Sequence, residues 1–487
     1  MKTIKYFALP LAALMTLGMV TTSCNDDDKY FEDDAQDTPI TVKQIYLEDY
    51  KSSVPDRAVD FARLGQMIRI EGTGLYGMKK VIINGYDTYF NRAYVTDNSL
   101  IVSINRETPV ADCDPALRDK IRLVKDGAEY TYDFVIRSGY STISSMSNTM
   151  PMPGESVTVN GANLYEVTKV TLPGGVEVTE GIEADAKDGK YFTFTMPAGV
   201  TEGGAIVVES PNGNTESPAF FNRKDGILVD FDTEGLQGAW SWKETGSMIS
   251  NKVEDGDLVA DPAGTGRGYC AQLVPDRLLN AEGGVQSGKP RVTEIHSVGD
   301  GNKDWEDWSR FSAFIPAETP VTEVAFQFDI YCPEPWVNTG YMQLQLINNY
   351  NFSGIGTDDD GKNNLIYCMV PWLETFKGGA IIPFQTQGWQ TITVPLSDFN
   401  KYATLVADAE AQTPTFQMVI DDRLAATYPN FGMGFVNNDF TFKDAAGEEV
   451  ELKSTAFTGP KIYVDNWRIV PYKMYEPSDY EEPETEE

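Results

Sequence analysis

The sequence has 487 residues, and its 73 Asp and Glu residues outnumber its 39 Lys and Arg residues, which gives a formal charge of −34. Nucleic-acid affinity depends largely on Lys and Arg that displace counterions, so this composition argues against any nucleic-acid partner. His296 is the only histidine, which argues against a Ser-His-Asp triad and a multi-histidine zinc site. Carboxylate chemistry remains possible, and no cofactor is expected.

The N-terminal segment predicts export. A basic start precedes an apolar run, residues 6–20, and small residues then lead to Cys24. The run is shorter than the ~20 residues needed to cross a bilayer, so residues 1–23 are interpreted as a signal peptide. A Cys at the cleavage point can carry acyl chains that tether a protein to a membrane.

This segment resembles a bacterial lipoprotein signal, with Thr21 in place of the usual Leu three residues before the Cys. The resemblance implies that Cys24 becomes the lipidated first residue of the mature protein. Residues 24–38 form an acidic tether that opens with Asn-Asp-Asp-Asp-Lys after the Cys. The tether resembles the acidic signal that sends lipoproteins of gut polysaccharide-degrading bacteria to the outer face of the outer membrane, and it also suits a solvated linker. The expected location is the outer membrane, lipid-anchored and facing the cell exterior.

One internal repeat follows, residues 68–85 against residues 157–174. Each copy alternates apolar and polar residues up to a glycine, Gly72 or Gly161, passes a Leu-Tyr pair and alternates again. This pattern predicts two short strands joined by a turn. The copies begin 89 residues apart, close to the ~100 residues of an immunoglobulin-type sandwich, so a domain duplication is predicted.

The repeated motif resembles the IPT/TIG class of immunoglobulin-like domains. We predict two such domains, at residues 39–138 and 139–224. Neither contains a Trp, and both are interpreted as spacers.

The composition changes in residues 225–475, which hold all eight Trp residues of the chain. Strand-like runs recur there, and long amphipathic helical periods are scarce; the runs are residues 227–231, 324–330, 341–347, 389–394 and 461–470. The predicted fold class is all-β: two tandem immunoglobulin-like sandwiches followed by a larger jelly-roll-type β-sandwich. The acidic tail, residues 476–487, is predicted to be disordered.

A glycan site needs flat exposed aromatic rings beside amide or carboxylate groups, because sugars present C–H faces and hydroxyl edges. Trp336 and Trp372 each follow a Pro at the border of a strand-like run, and we predict that both lie exposed on one face. Polar and aromatic neighbours complete the candidate site: Asn338, Tyr341, Gln343 and Gln345.

Other tryptophans receive different interpretations. Trp305 and Trp308, three residues apart in a polar stretch that suits a loop or one helical turn, are the second candidates for glycan contact. Trp389 and Trp467 lie inside alternating strands and are predicted to be buried.

The whole chain resembles the surface glycan-binding proteins encoded beside SusD-like proteins in polysaccharide-utilisation loci, specifically the B-type with a xyloglucan-binding C-terminal domain. The resemblance rests on the order of parts: lipoprotein signal, tandem immunoglobulin-like spacers and terminal β-sandwich. It implies an aromatic platform of a Trp and, some thirty-odd residues later, a Tyr-Trp pair. Trp336 and Trp372 match this platform, whereas Pro371 stands where the Tyr would be, so the identity of the glycan stays open.

The predicted function is non-catalytic capture of a β-linked plant polysaccharide, xyloglucan or a related β-glucan or hemicellulose, with a SusD-like protein and a TonB-dependent transporter as partners. The alternative is a glycoside hydrolase or lyase with a carboxylate pair, for which Asp304, Glu306 and Glu334 are candidates. A protein-binding adhesin is a third possibility, although it has no special need for flat aromatic platforms.

A structural Ca²⁺ is a weaker hypothesis. Asp230, Asp232 and Asp465 could supply oxygen ligands, but alternation along paired strands explains them equally well. The remaining cysteines are sparse and predict no disulfide framework: Cys113, Cys270, Cys332 and Cys368.

Overall fold

The structure is a computed structural model. It describes residues 38–48, 56–233, 236, 252–273, 291–297, 307–337, 341–347, 365–372, 382–426, 429, 431–436, 440–443, 448–452 and 461–479. The fold is all-β, as predicted. The chain divides into two compact units, Met1–Ser138 and Gly139–Glu487. In the part of the chain so described, no helix is both long and apolar enough to cross a bilayer.

The first unit contains an immunoglobulin-like sandwich. Its strands are β1 (Thr41–Glu48), β2 (Asp56–Ala58), β3 (Phe61–Arg63), β4 (Met67–Thr73), β5 (Lys80–Ile83), β6 (Tyr86–Thr88), β7 (Ser99–Ser103), β8 (Lys120–Lys125), β9 (Ala128–Asp133) and β10 (Val135–Arg137). One sheet has the order β2-β1-β4-β7 and the other β6-β5-β8-β9, while β3 and β10 pair in parallel. Alternating apolar residues of the two sheets form a common core, for example Ile68 and Ile70 of β4 with Val81 of β5.

The second unit begins with a similar sandwich. Its strands are β11 (Thr142–Met146), β12 (Ser156–Ala162), β13 (Lys169–Leu172), β14 (Val176–Val178), β15 (Glu183–Ala184), β16 (Tyr191–Thr195), β17 (Val207–Glu209) and β18 (Thr215–Glu216). The sheets have the orders β11-β12-β16-β15 and β14-β13-β17-β18.

The sequence repeat corresponds to the same element in both sandwiches. The two strands of each copy, β4 and β5 or β12 and β13, belong to opposite sheets, so the connection between them crosses the sandwich and does not form a hairpin. The repeated glycines lie at bulges: a Cβ on Gly72 would stand 1.9 Å from the carbonyl oxygen of Thr41, and one on Gly161 would stand 1.8 Å from that of Thr142. Only glycine fits this close backbone approach.

The C-terminal sandwich has two main sheets. Its strands are β19 (Ile227–Val229), β20 (Leu258–Ala260), β21 (Tyr269–Leu273), β22 (Arg291–His296), β23 (Val324–Tyr331), β24 (Tyr341–Gln345), β25 (Ile366–Met369), β26 (Gln390–Pro395), β27 (Gly432–Val436), β28 (Phe440–Lys443), β29 (Glu449–Leu452) and β30 (Ile462–Pro471). The first sheet has the order β20-β21-β30-β23-β26, with β19 also on β30, and the second has the order β22-β27-β24-β25. All five strand-like runs of the sequence are strands.

Two short helices, α1 (Asn400–Ala407) and α2 (Phe416–Ala425), were not predicted. Their apolar residues join the core of the C-terminal sandwich, for example Tyr402 of α1 and Phe416 of α2. That core is built between the sheets, where Phe326 of β23 and Trp467 of β30 pack against Phe431, which precedes β27.

The second immunoglobulin-like sandwich and the C-terminal sandwich share a packed junction. Ala325 and Val470 of the C-terminal sandwich lie in the core cluster of the immunoglobulin-like sandwich. Thr149 donates a hydrogen bond to Gln327 at 2.9 Å and accepts one from Arg468 at 2.8 Å. Buried apolar packing and buried hydrogen bonds therefore join the two sandwiches into one unit.

Candidate functional site

The structure buries the two tryptophans predicted to form an exposed platform. Trp336 is 0% exposed and Trp372 is 3% exposed, and both belong to the core cluster of the C-terminal sandwich. The predicted exposure is therefore wrong. Its physical reason is that each indole has packing partners outside its own strand, such as Phe384, whose ring meets Trp336 edge-on at 6.3 Å between centroids.

The predicted proximity of these tryptophans is supported by their backbone contacts. Trp336 exchanges two hydrogen bonds with Phe384, at 2.8 and 2.9 Å, and the carbonyl of Trp372 accepts one from the amide of Ile382 at 3.0 Å. Residues two apart in an extended segment lie about 6–7 Å from each other. The segment Ile382–Phe384 thus holds both tryptophans at one end of the sandwich, and Ile382 itself is 49% exposed.

The second pair of candidates also fails as an exposed surface. Trp308 begins the short 3-10 helix Trp308–Ala313, as the prediction of one helical turn allowed, but its side chain is 1% exposed. The guanidinium of Arg423 lies 3.9 Å from the Trp308 ring centroid and closes that face of the indole. Trp305 and Asn338 lie outside the described residues. The burial predicted for Trp389 and Trp467 is confirmed, at 3% and 0% exposed.

The other three candidates share one face of strand β24. Side chains alternate along a strand, so Tyr341, Gln343 and Gln345 point to one side while Met342 and Leu344 point to the other. Met342 and Leu344 lie in the core cluster. The neighbouring strand β27 has the same parity, since Met433, paired with Leu344, is also in the core. Gln343 and Gln345 therefore lie on the face of the second sheet that points away from the first sheet, called here the outward face. Tyr341 follows the same alternation, although its ring also belongs to the core cluster.

Residues missing from the sequence-based site complete the outward face. Gly432 pairs with Gln345 and Gly434 with Gln343, so β27 places no side chain beside either glutamine. His296 pairs with Gly432 on the other side and is 1% exposed. Alternation in β22 identifies His296 as facing away from the core, but only the pairing of distant strands puts it near the glutamines.

The outward face is buried and polar. Gln343 and Gln345 are both 0% exposed, and the amide nitrogen of Gln345 donates to the amide oxygen of Gln343 at 3.0 Å. The Oε1 atom of Gln345 is buried and accepts no hydrogen bond from the residues that the structure describes. A buried acceptor without a donor costs about 1–3 kcal/mol, so this oxygen stands ready for a hydroxyl or amide donor.

Most described side chains of the outward face are hydrogen-bonding groups, and Ile366, which pairs with Gln345, adds an apolar one. Cys368 pairs with Gln343, and burial raises the pKa of its thiol to about 12, so the sulfur stays protonated and is a poor nucleophile. Tyr367 points to the opposite side of β25, where burial raises the pKa of its phenol to about 12. This chemistry suits recognition of a neutral polar ligand.

The weak calcium candidates do not meet in a cluster. Within the described ranges, no group of three or more His, Cys, Asp and Glu side chains could hold a metal ion. Asp465 instead lies 3.6 Å from the guanidinium of Arg267, which also pairs with Asp329 at 3.0 Å. Asp230 accepts hydrogen bonds from Thr233, and Asp232 accepts one from the amide of Tyr269. The four remaining cysteines are free and buried: Cys113, Cys270, Cys332 and Cys368.

Comparison with known proteins identifies the class of the C-terminal sandwich. A family model described as surface glycan-binding protein B xyloglucan binding domain matches residues 221–471, just over half of the chain. The chain belongs to this family. The family membership predicted from the sequence is thereby confirmed.

Relatives extend the comparison to the rest of the chain. An IPT/TIG domain-containing protein of Bacteroides ovatus is 31% identical over 217 residues, which cover 42% of this chain and 42% of the relative. The chain thus aligns with less than half the length of that curated relative. The crystal structure of the surface glycan-binding protein PbSGBP-B from Prevotella bryantii is similar over 90% of this chain and 99% of that chain, with a TM-score of 0.58 and 22% identity. At this identity the likeness shows the fold.

A further solved structure, described as SGBP-B from a complex xyloglucan utilization locus in Bacteroides uniformis, covers 89% of this chain and 100% of its own, with 15% identity and a TM-score of 0.42.

Proposed function

We propose that this protein is a non-catalytic surface lipoprotein that captures a β-linked plant polysaccharide, xyloglucan or a related β-glucan or hemicellulose. The observation that carries the proposal is the membership of residues 221–471 in a family of xyloglucan-binding domains. The two immunoglobulin-like sandwiches preceding that domain serve as spacers that hold it away from the membrane.

The outward face is the proposed glycan site. Gln343 and Gln345 bind sugar hydroxyls through amide donors and acceptors, and the unused Oε1 of Gln345 accepts one of them. Tyr341 supplies a flat ring for the C–H face of a sugar. Trp336 and Trp372, which belong to the core cluster, stay proposals of lower rank. Gln343, Gln345 and Tyr341 are buried in the structure, so binding of a sugar requires that they become accessible to solvent. Trp305, Trp308 and Asn338 stay proposals of lower rank, with Trp308 closed off by Arg423.

The lipid anchor is a separate part of the proposal. Cys24 becomes the acylated first residue of the mature protein, and the acidic tether directs the protein to the outer face of the outer membrane. Labelling of cells with an alkyne-modified palmitate analogue should mark the wild-type protein and not Cys24→Ala. Equal labelling of both would reject the anchor.

The proposed partners are a SusD-like protein and a TonB-dependent transporter in the same membrane. Glycan held on a tethered protein has a high local concentration near such an importer. Purification of the anchored protein from membranes after mild crosslinking should recover both partners, and their recovery should fall with Cys24→Ala.

The alternative function, a glycoside hydrolase or lyase, requires two carboxyl groups about 5–9.5 Å apart. Of its candidates, Glu334 is exposed beside the first sheet, and Asp304 and Glu306 lie outside the described residues. The described side chains of the outward face include no carboxylate pair, which favours binding over hydrolysis.

One experiment separates these functions. The mature protein is run by affinity electrophoresis in gels that contain xyloglucan, mixed-linkage glucan, xylan or an unrelated α-glucan, and a reducing-sugar assay is performed on the same samples. Retardation by a β-linked glucan without release of reducing ends is the expected result. Reducing ends produced in proportion to protein would establish an enzyme, and equal mobility in every gel would reject glycan capture.

A further inference from the structure

A cavity of about 670 Å³ lies at the junction between the second immunoglobulin-like sandwich and the C-terminal sandwich. It is separate from the outward face, since its lining residues come from the other side of the C-terminal sandwich and from loops of the immunoglobulin-like sandwich. Its volume is within the range of small-molecule sites, which often occur where domains meet.

One wall of the cavity is apolar. It is formed by the loop after β11, with Met150 and Met152, and by Met196 and Pro197 after β16. Met152 is half-buried, whereas Met150 and Met196 are buried. Thioether and pyrrolidine groups offer C–H and polarisable surface, which packs against the C–H face of a ring without demanding a charge.

The opposite wall is polar. Arg267, Asn466 and Asp232 line it. Arg267 is 8% exposed, and its Nη atoms bond Asp329 and the carbonyl of Met150. Its Nε atom is buried and has no acceptor among the described residues. One donor in this wall is therefore unused.

The charges behind the polar wall balance. Six charged residues line the cavity: the cations Lys224, Arg267 and Arg310 and the acids Asp225, Asp230 and Asp232. Behind this lining, Arg468 pairs with Asp329, and Arg267 pairs with Asp329 and Glu155. Burial raises the pKa of the Asp465 carboxyl well above its usual range, which disfavours a further negative charge there. A neutral hydrogen-bonding ligand suits such a wall better than an anion, and the charge of −34 on the whole chain further disfavours anions.

From the cavity volume, its apolar wall and its balanced polar wall, we infer that the junction is a second binding site for a neutral oligosaccharide. The inference rests on the proposed function in that both sites take the same class of ligand. A second site at the junction would hold one polysaccharide chain at two points. The overall affinity for the polysaccharide would then rise without stronger binding at the outward face.

Met152 provides an internal reporter. Hydrogen peroxide converts exposed methionine to its sulfoxide, and a bound ligand shields a methionine that it contacts. Full-length mature protein is treated with peroxide, with and without cellotetraose or a xyloglucan oligosaccharide, and oxidation is measured by peptide mass spectrometry. Met67 and Met474, which are 45% and 42% exposed, are the controls.

The expected result is a fall in Met152 oxidation of at least about threefold with either neutral sugar, and none at Met67 or Met474. Thr233→Trp, which places a large ring in the cavity lining, should remove the sugar-dependent difference. Thr131→Trp, on exposed strand β9 of the first unit, should keep it. Melting curves of both variants check that they are folded. The protection of Met152 in the wild-type protein is measured independently of these variants.

Two results would overturn the inference. In the first, a neutral glycan retards the protein in affinity gels but leaves the oxidation of Met152 unchanged. In the second, an anionic oligogalacturonate protects Met152 and the neutral sugars do not. The two sites fail separately. If Gln343→Leu and Gln345→Leu leave the retardation unchanged while sugar still protects Met152, the outward face is rejected as a binding site. The cavity site is then retained.

Discussion

Two buried glutamines of the C-terminal sandwich differ in how well their amides are satisfied. Gln327, on β23, accepts hydrogen bonds from Thr149 and Arg468 and donates to Thr393. Gln345, on β24, donates to Gln343 and leaves its oxygen without a donor among the described residues. Both are 0% exposed, so the contrast separates a structural amide from one available to a ligand.

The same substitution at these two positions should change stability by different amounts. Gln345→Leu removes an acceptor that is already unpaired and also the donor to the Gln343 oxygen. The gain and the loss offset each other, so the free energy of unfolding should change by less than about 1 kcal/mol. Gln327→Leu leaves the Arg468 guanidinium and the Thr149 hydroxyl without their acceptor and should cost at least about 2 kcal/mol. Urea unfolding of both variants measures the difference, and equal losses would mean that Gln345 is an ordinary structural residue.

Burial of Trp336 leads to a second prediction. Trp336→Ala should destabilise the C-terminal sandwich by about 3–5 kcal/mol because it leaves a cavity beside Phe384. Differential scanning calorimetry of the full chain measures the change. An unchanged melting temperature together with weaker glycan binding would instead restore the exposed platform expected from the sequence.

The sequence is sufficient to predict which residues of β24 share a face, because alternation is a local property. It also predicted the burial of Trp389 and Trp467, which lie in or beside alternating strands. It could not predict that Trp336 packs on Phe384 or that His296 lies opposite Gly432, since these contacts join segments far apart in the chain. Fold class followed from local pattern, and the composition of the site depended on tertiary pairing.

At the scale of single elements, the loop between β20 and β21 depends on one carboxylate. Asp261 accepts hydrogen bonds from the Trp389 indole at 2.9 Å and from the amides of Ala263 and Gly266. Arg267, in the same loop, lies 4.5 Å from the Trp389 ring centroid. The loop thereby covers the outer side of the first sheet and carries Arg267 to the junction.

This carboxylate makes the stability of the loop dependent on pH. Burial alone would raise its pKa, but hydrogen bonds from Trp389 and Thr265 lower the pKa of Asp261 to about 2. A lowered carboxyl pKa stabilises the fold above the unfolded value of about 3.9, and the contribution is lost as the pH falls towards 2.

Asp261→Asn should therefore lower the melting temperature at pH 7, and the difference from wild type should shrink between about pH 4 and pH 2. Thermal melts across this range check the trend, with the exposed Asp133 of β9 as a control position for the same substitution. A deficit that stays constant down to pH 2 would contradict the role of the charge.

At the scale of the whole molecule, the compact unit that carries the candidate site starts before the C-terminal sandwich. The unit Gly139–Glu487 includes the second immunoglobulin-like sandwich. Ala325 and Val470 complete that sandwich's core, and Thr149 completes the hydrogen bonds of Gln327 and Arg468. Removal of the immunoglobulin-like sandwich would expose these groups of the C-terminal sandwich to water.

Truncation tests this interdependence. A chain of residues 139–479 should melt at the temperature of the same unit in the full protein, because no described contact of the junction is lost. A chain of residues 225–479 should melt at least several degrees lower or aggregate, since it loses the shared core. Equal melting temperatures for the two truncated chains would show that the junction contributes little to stability.

The central claim is that the outward face of the second sheet binds the glycan. Calorimetric titration of a xyloglucan oligosaccharide into the full mature protein and its Gln343→Leu/Gln345→Leu variant tests this claim, with circular dichroism and melting curves confirming that the variant is folded. Loss of two amides that bond sugar hydroxyls should weaken binding by at least about tenfold, or 1.4 kcal/mol, while the melting temperature changes by only a few degrees. Unchanged affinity in the folded variant would contradict the claim and place the glycan on another surface.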